Sequence, residues 1–156
     1  MNEIPWLLPE AITFLDRFCN ENKNAKILEF GMGGSSIWLE KRTDNLISVD
    51  HNKEWVNNTT AITNGKSKLN LLPRPYNTFC DSFDDNYFDL ILIDGRDRVE
   101  CIKSSIRILR PGGILMLDNS ERTSYNEGKA LLADWFESTY HYDGPNSWST
   151  SWWRKP

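Results

Sequence analysis

Two kinds of apolar pattern alternate along this chain about five times. Short runs that are apolar at nearly every position alternate with longer stretches whose apolar residues recur at helical spacing. Strands that are apolar on both faces are typical of a parallel sheet covered by helices on both sides. The runs are residues 26–30, 46–49, 68–72, 88–93 and 114–117. The alternation predicts a single α/β domain over residues 1–156, built on a mostly parallel sheet.

The remaining segments complete a coarse prediction of secondary structure. A helix with a regular apolar face follows Pro9, and two adjacent serines begin a short helix at residue 35. The aromatic tail predicts two strands around a turn at residues 143–146. Further helices are predicted over residues 52–63, 99–109 and 131–136, with a turn at residues 110–113.

Charge and cysteine content argue against several classes of protein. Lys and Arg total 18 against 22 Asp and Glu, a net charge of −4 with no basic block, which disfavours nucleic-acid binding. No apolar run approaches the roughly 18 residues of a membrane-spanning helix, and the first residues lack the pattern of a signal peptide. Three widely separated cysteines are typical of reduced thiols. We therefore expect a cytoplasmic protein that binds neither nucleic acid nor membrane.

Polar residues stand where the predicted strands end. Ligands of open parallel sheets bind beyond the carboxyl ends of the strands, so these residues are the first candidates for a functional site. They are Glu29 and Gly31 after the first strand, Asp50 and His51 after the second, Asp94 after the fourth, and Asp118 and Asn119 after the fifth.

The glycine-rich turn after the first strand indicates the kind of ligand. Gly31 and Gly33 allow close approach of the backbone, but Ser36 replaces the last glycine of a dinucleotide fingerprint. Glu29 would repel a pyrophosphate and suit a cationic ligand. Asp50 stands close to the roughly 20-residue spacing expected for an acid that binds ribose hydroxyls. The pattern favours a nucleoside with a cationic tail over NAD(P), although an NAD(P)-dependent oxidoreductase remains the alternative.

Four segments, taken in order, resemble the motifs of class I S-adenosylmethionine (SAM)-dependent methyltransferases. The resemblance spans about residues 25–120. It is nearer to small bacterial members with Asp-Gly-Arg and Leu-Asp-Asn at two strand ends than to the DNA and RNA amino-methyltransferases, which need Pro-Pro after the fourth strand. The segments are Glu-Phe-Gly-Met-Gly-Gly-Ser at residues 29–35, Asp50, Phe-Asp-Leu-Ile-Leu-Ile-Asp-Gly at 88–95, and Leu-Arg-Pro-Gly-Gly-Ile-Leu at 109–115.

The resemblance implies a fold and a cofactor site. The fold is a Rossmann-like, seven-stranded sheet in the order 3-2-1-4-5-7-6, with the last strand antiparallel and helices on both faces. SAM is the implied cofactor, with Asp50 on the ribose hydroxyls, His51 beside it, and Asp81 near the adenine. The residues expected around the methionine end are Glu29, Gly31, Gly33 and Ser35.

The resemblance also places the candidate catalytic residues. Asp94, beside the expected methyl position, is the first candidate for orienting or deprotonating the acceptor, with His51 and His141 in reserve. Asp118 and Asn119 are the other candidate catalytic residues. The positions of Asp94, Asp118 and Asn119 bind a divalent metal in catechol-type O-methyltransferases. No lysine base follows Asp94, where residues 96–98 read Arg-Asp-Arg, so a metal is possible but not favoured. Arg96 and Arg98 are either solvated or hold an anionic acceptor.

We therefore expect a methyltransferase acting on a small-molecule acceptor, at an oxygen or a nitrogen. A SAM-binding module without catalysis of its own is a further alternative. The terminal tryptophans, Trp148, Trp152 and Trp153, either fill the core or form an acceptor or subunit surface. A second copy of the chain could then cover the acceptor in a homo-oligomer.

Overall fold

A computed structural model describes residues 1–156 as one seven-stranded sheet in the order β3-β2-β1-β4-β5-β7-β6. β1 to β5 pair in parallel, and β7 runs antiparallel to both of its neighbours. The predicted order and the antiparallel last strand are confirmed. The strands are β1 (Ile27–Phe30), β2 (Leu46–Asp50), β3 (Lys68–Leu71), β4 (Phe88–Ile93), β5 (Leu109–Asp118), β6 (Phe136–Tyr142) and β7 (Trp148–Arg154).

Helices cover both faces of this sheet. The helices are α1 (Pro9–Glu21), α2 (Gly34–Glu40), α3 (Lys53–Ile62), α4 (Arg98–Ile108) and α5 (Asn126–Ala130), with short 3₁₀ helices at Asn77–Ser82 and Thr123–Tyr125. The longest of them, α1, has 13 residues. No helix has both the length and the apolar character needed to cross a bilayer.

Two hydrophobic cores form because successive side chains of each strand point to opposite faces. In β4, Leu90 and Leu92 enter the core beneath α1. Ile91 and Ile93 enter the core on the α4 side. All four are fully buried, which explains why the strand is apolar at every position except Asp89.

The tail hairpin extends both cores. Trp152 joins the α1 core and stacks on Phe14 with ring centroids 4.7 Å apart. Trp153 joins the α4 core and is almost completely buried. Both tryptophans therefore fill the interior, whereas Trp148 is only half-buried at the sheet's carboxyl edge.

Two sequence predictions near β5 and β6 are wrong. Residues 110–113 belong to β5: Gly112 adopts φ +75° and donates its N–H to the Lys155 carbonyl at 2.8 Å, so the chain pairs through the Pro-Gly-Gly segment. The helix predicted at residues 131–136 is a series of turns after α5, in which Trp135 N–H bonds to Leu132 three residues back. Phe136 instead begins β6 and is 77% exposed.

All three cysteines are free thiols buried in the interior. Burial raises the pKa of Cys19 to about 11 and that of Cys80 to about 12. The pKa of Cys101 is also raised, again because burial disfavours the thiolate.

Candidate active site

One large cavity of about 730 Å³ opens at the carboxyl edge of the sheet. Its floor is the turn after β1, its sides are the segments after β2 and β4, and its outer wall comes from the first residues of the chain. Its volume lies in the range of small-molecule sites. Of the residues predicted for the site, Gly31, Gly33, Ser35, Asp50, His51 and Asp94 line it.

The floor forms where two loops meet without side chains between them. Gly31 has φ +101°, and a Cβ atom there would lie 2.6 Å from the carbonyl carbon of Asp94. A Cβ on Gly95 would meet the Tyr76 hydroxyl and, at 2.9 Å, the nitrogen of Gly31. The glycines therefore allow the β1 turn to contact the end of β4, which brings Asp94 to the cavity.

Glu29 lies beneath the turn and does not line the cavity. Its fully buried carboxylate accepts hydrogen bonds from the hydroxyls of Ser35, of Ser36 at 2.5 Å and of Ser48 at 2.6 Å. Burial raises its pKa, and the three hydroxyls act in the opposite direction. The acid that was expected around the methionine end thus ties the turn and the start of α2 to β2.

Asp50 is held at the cavity wall by backbone amides. Its Oδ2 accepts the N–H of Met32 at 2.9 Å, and its Oδ1 accepts the N–H of Asn52 at 2.9 Å. The Nδ1 atom of His51 lies 3.3 Å from Oδ1. A carboxylate oxygen has more than one acceptor site, so Asp50 can bind further donors from the cavity.

Asp94 follows β4 and is mostly buried. Burial, followed by the charge of Asp118, raises its pKa to about 8. The Arg98 guanidinium lies 3.3 Å from its Oδ1 atom and acts in the opposite direction. Asp94 is therefore a carboxyl group whose ionisation falls near neutral pH, the range suited to proton transfer.

Arg98 connects the ends of β4 and β5. Its buried guanidinium donates to the carbonyl of Gly95 at 2.9 Å and to the carbonyl of Asp118 at 2.6 Å. It also donates to the side-chain oxygen of Asn119 at 3.2 Å. Most hydrogen-bond donors of Arg98 are thus used to join the ends of the two strands, so Arg98 is not free to bind an anionic ligand.

Asp118 and Asn119 do not line the cavity. Asp118 Oδ1 accepts hydrogen bonds from Trp148 Nε1 at 2.8 Å and from Thr150 Oγ1 at 2.7 Å, which directs the carboxylate toward β7. Burial raises the pKa of Asp118 as well. No group of three His, Cys, Asp or Glu side chains is arranged to hold a metal ion.

Asp81 is exposed on the 3₁₀ helix Asn77–Ser82, outside the cavity. The cavity wall does carry an ion pair, in which Arg74 Nη2 and Nε lie 2.8 and 3.1 Å from the carboxylate oxygens of Asp97. Because Asp81 does not line the cavity, its expected placement near an adenine has no geometric support.

Sequence reasoning missed the outer wall. Met1, Asn2, Ile4 and Trp6 line the cavity. A Cβ on Gly34 would lie 2.3 Å from the Asn2 carbonyl oxygen, so this segment passes directly over the start of α2. Trp55 packs on Gly33, with its Nε1 3.2 Å from where a Cβ would stand. The third glycine of the turn was the available signal, because it allows another backbone to approach.

Comparisons with known proteins bear on the family and the fold of the chain. A family model described as "Methyltransferase domain" matches residues 28–120. No curated protein matches the sequence significantly.

Three solved structures illustrate the shared fold. A precorrin 8w decarboxylase from Methanobacterium thermoautotrophicum has a TM-score of 0.70 at 15% identity, over 96% of this chain and 92% of that one. The N-methyltransferase NodS from Bradyrhizobium japonicum has a TM-score of 0.66 at 15% identity, over 94% and 95%. A SAM-dependent O-methyltransferase from Thermotoga maritima has a TM-score of 0.65 at 10% identity; this match covers 95% of the present chain but only 66% of that enzyme.

Proposed function

The chain belongs to the methyltransferase-domain family, within the class I SAM-dependent enzymes, and on that basis we propose that it methylates a small molecule at an oxygen or nitrogen atom. Structures of similar fold are named for O- and N-methyl transfer, so they support both kinds of acceptor atom. The observation that best supports the proposal is that the glycine turn, Asp50 and Asp94 line one cavity of about 730 Å³.

The residues present fit SAM. Asp50 retains acceptor capacity toward the cavity and suits the vicinal hydroxyls of a ribose. The Trp55 indole, which packs on Gly33, adds an apolar ring to the cavity wall against which a nucleoside can lie. Bound there, SAM supplies a methyl group already activated by its sulfonium.

Asp94 is the proposed proton acceptor. Methyl transfer to a hydroxyl or an ammonium requires loss of a proton, and a base with a pKa near the working pH is the most effective. Ionised Asp94 can take that proton, while the Arg98 contact at 3.3 Å fixes its position. Asp118 and Asn119 then act through Arg98 and the end of β5 rather than by touching the acceptor.

Calorimetric titration tests the cofactor assignment. We expect SAM and S-adenosylhomocysteine (SAH) to bind at micromolar affinity, and Asp50→Ala to weaken both by about 10-fold or more, since charge-assisted hydrogen bonds are lost. Asp81→Ala is the matched control and should leave both affinities unchanged. Absence of heat with either ligand, or binding of NADH instead, would contradict the proposal and favour the oxidoreductase alternative.

A single-turnover assay tests catalysis separately. Methylated product from a metabolite library, measured with labelled SAM, should fall by about 10²–10⁴-fold in Asp94→Asn. SAH affinity should stay within twofold of the native value in that variant. Tight SAM binding with no methylated product across the library would instead indicate a SAM-binding module.

A further inference from the structure

The charged side chains that line the cavity do not balance. Two of its arginines are paired with carboxylates: Arg74 with Asp97 at 2.8 Å and Arg98 with Asp94 at 3.3 Å. Two other arginines line the cavity and have no carboxylate within 4.0 Å, namely Arg96 and Arg122. The cavity therefore offers two guanidinium groups with unused hydrogen-bond donors.

These two arginines belong to segments that follow different strands, Arg96 after β4 and Arg122 after β5. The backbone N–H of Arg96 donates to the Tyr76 hydroxyl, and the Tyr76 ring is 6.2 Å from that of His51. Arg122 belongs to the segment after β5, and its charge is among those that act on Asp94. Its one side-chain contact is with the Tyr125 hydroxyl, at a long 3.4 Å. Arg122 is thus an unpaired guanidinium of the cavity whose charge reaches the proposed catalytic carboxylate.

Apolar side chains line the same cavity as Arg122. Trp6 is 82% exposed and Ile4 is 55% exposed, although both belong to the wall. Tyr125 adds a third surface that combines a ring with a polar tip. Large apolar groups left in water mark surfaces that bind apolar partners. The cavity therefore presents a cation and an apolar wall to the same ligand.

We propose that the methyl acceptor is an anionic, aromatic or similarly apolar small molecule, whose carboxylate or phosphate binds Arg122 and whose body lies against Trp6 and Tyr125. The proposal rests on the proposed function, because it assigns the acceptor half of the cavity. Arginine matches both anions with a planar fork that forms two parallel hydrogen bonds. Such a contact fixes orientation as well as position, so it would aim the nucleophile of the acceptor toward Asp94.

Three probes that share one phenyl ring test the proposal on SAH-saturated protein. Benzoate and phenyl phosphate carry the two anions, and benzamide is the neutral counterpart of benzoate. By titration calorimetry or ligand-observed NMR, we expect at least one anion to bind about tenfold more tightly than benzamide. The anion that binds more tightly identifies whether Arg122 prefers a carboxylate or a phosphate.

Variants separate the proposed contact from general charge effects. Arg122→Gln should lower the affinity for the tighter-binding anion by about tenfold or more, and Arg122→Lys should restore part of that affinity. Arg17→Gln removes an exposed arginine of α1 from the far side of the molecule and should change nothing. SAH affinity, measured first in every variant, should remain within twofold of the native value.

The other outcomes overturn the proposal in distinguishable ways. Equal binding of benzamide and the anions, no binding of any probe, or full affinity in Arg122→Gln would exclude an anion site at Arg122. A parallel loss of SAH and anion binding in Arg122→Gln would mean that this arginine holds the carboxylate of the cofactor. Failure of native protein to bind SAH would contradict the proposed function, and the probes would then be titrated into the free protein to test Arg122 alone.

Discussion

At the scale of single residues, the cavity floor depends on glycines that have no room for a side chain. Gly31 contacts the backbone of Asp94 and has φ +101°, a conformation that residues with a Cβ adopt only with strain. Gly65 also has a positive φ, +75°, but nothing lies within 4 Å of its missing Cβ. The two positions separate the effect of crowding from that of backbone conformation.

We expect Gly31→Ala to lower the free energy of unfolding by about 2–4 kcal/mol, since both strain and a backbone clash are introduced. Gly65→Ala should cost only about 1 kcal/mol, because backbone conformation alone is affected. Urea unfolding measures both values. Equal losses in the two variants would show that the contact between Gly31 and Asp94 does not matter for stability.

Asp94 should make stability depend on pH in a defined direction. Its folded pKa of about 8 is far above the ordinary value of 3.8, so the folded protein keeps a proton that the unfolded chain releases above pH 4. Stability should therefore fall as pH rises from about 4 to 8. Asp94→Asn should flatten the change of melting temperature with pH over this range, whereas Asp81→Asn should leave it as in native protein. An unchanged slope in Asp94→Asn would contradict the assignment.

At the scale of elements, the tail hairpin contributes to both cores through two adjacent tryptophans. Trp153→Ala should lower the free energy of unfolding by about 3–5 kcal/mol, as expected when a large buried ring is removed. Trp6→Ala is the control, since this exposed ring should change stability by no more than about 0.5 kcal/mol. Thermal unfolding followed by circular dichroism distinguishes the two. A small effect at Trp153 would mean that the hairpin is dispensable for the fold.

The first residues of the chain form an element whose position depends on Gly34. In Gly34→Ala the new Cβ would displace the backbone at Asn2 and Ile4. We expect faster amide hydrogen exchange across residues 1–6, while the exchange of β1 and β4 stays slow. Gly128→Ala is the matched control. Its new Cβ would lie 2.8 Å from a side-chain methyl of Ile102, whereas the nearest backbone atom is 3.4 Å away. Unchanged exchange in Gly34→Ala would mean that the segment has other anchors.

The elements also show where prediction from sequence succeeds and where it ends. β4 is apolar at all but one position and is followed by Asp94, so local pattern was sufficient to place it and its functional end. Residues 110–113 were misread because Pro and Gly usually end an element, whereas here a positive φ at Gly112 lets the strand pass through. The helical spacing of apolar residues at 131–136 did not predict a helix correctly, because it reflects the burial of Leu132 in a series of turns.

The site was predictable only in its strand-end half. Asp50 and Asp94 stand at positions set by the topology, so they reached the cavity as expected. The direction of the Asp118 carboxylate depends on Trp148 and Thr150, which lie 30 and 32 residues away. The outer wall places Trp6 in the same cavity as Arg122, an arrangement set by packing and not by any local pattern.

At the scale of the whole molecule, the cavity is assembled from segments spread from residue 1 to residue 125, so filling it should stabilise the entire fold. SAH at 100 times its dissociation constant should add about 2.7 kcal/mol to the free energy of unfolding. For a chain of this size that corresponds to a rise in melting temperature of about 5–10 °C. Differential scanning fluorimetry tests this, with Asp50→Ala at the same SAH concentration as control. An equal rise in that variant would place SAH elsewhere.

The buried thiols of Cys19, Cys80 and Cys101 have a practical consequence. Thiol-reactive dyes require an accessible thiolate, and burial with raised pKa values denies them one at each native position. A single introduced cysteine can therefore be labelled without first removing the others. Lys53→Cys would place a fluorophore on exposed α3, one residue from Asn52 in the cavity wall. The fluorescence of a dye at this position would then report the binding of a ligand in the cavity.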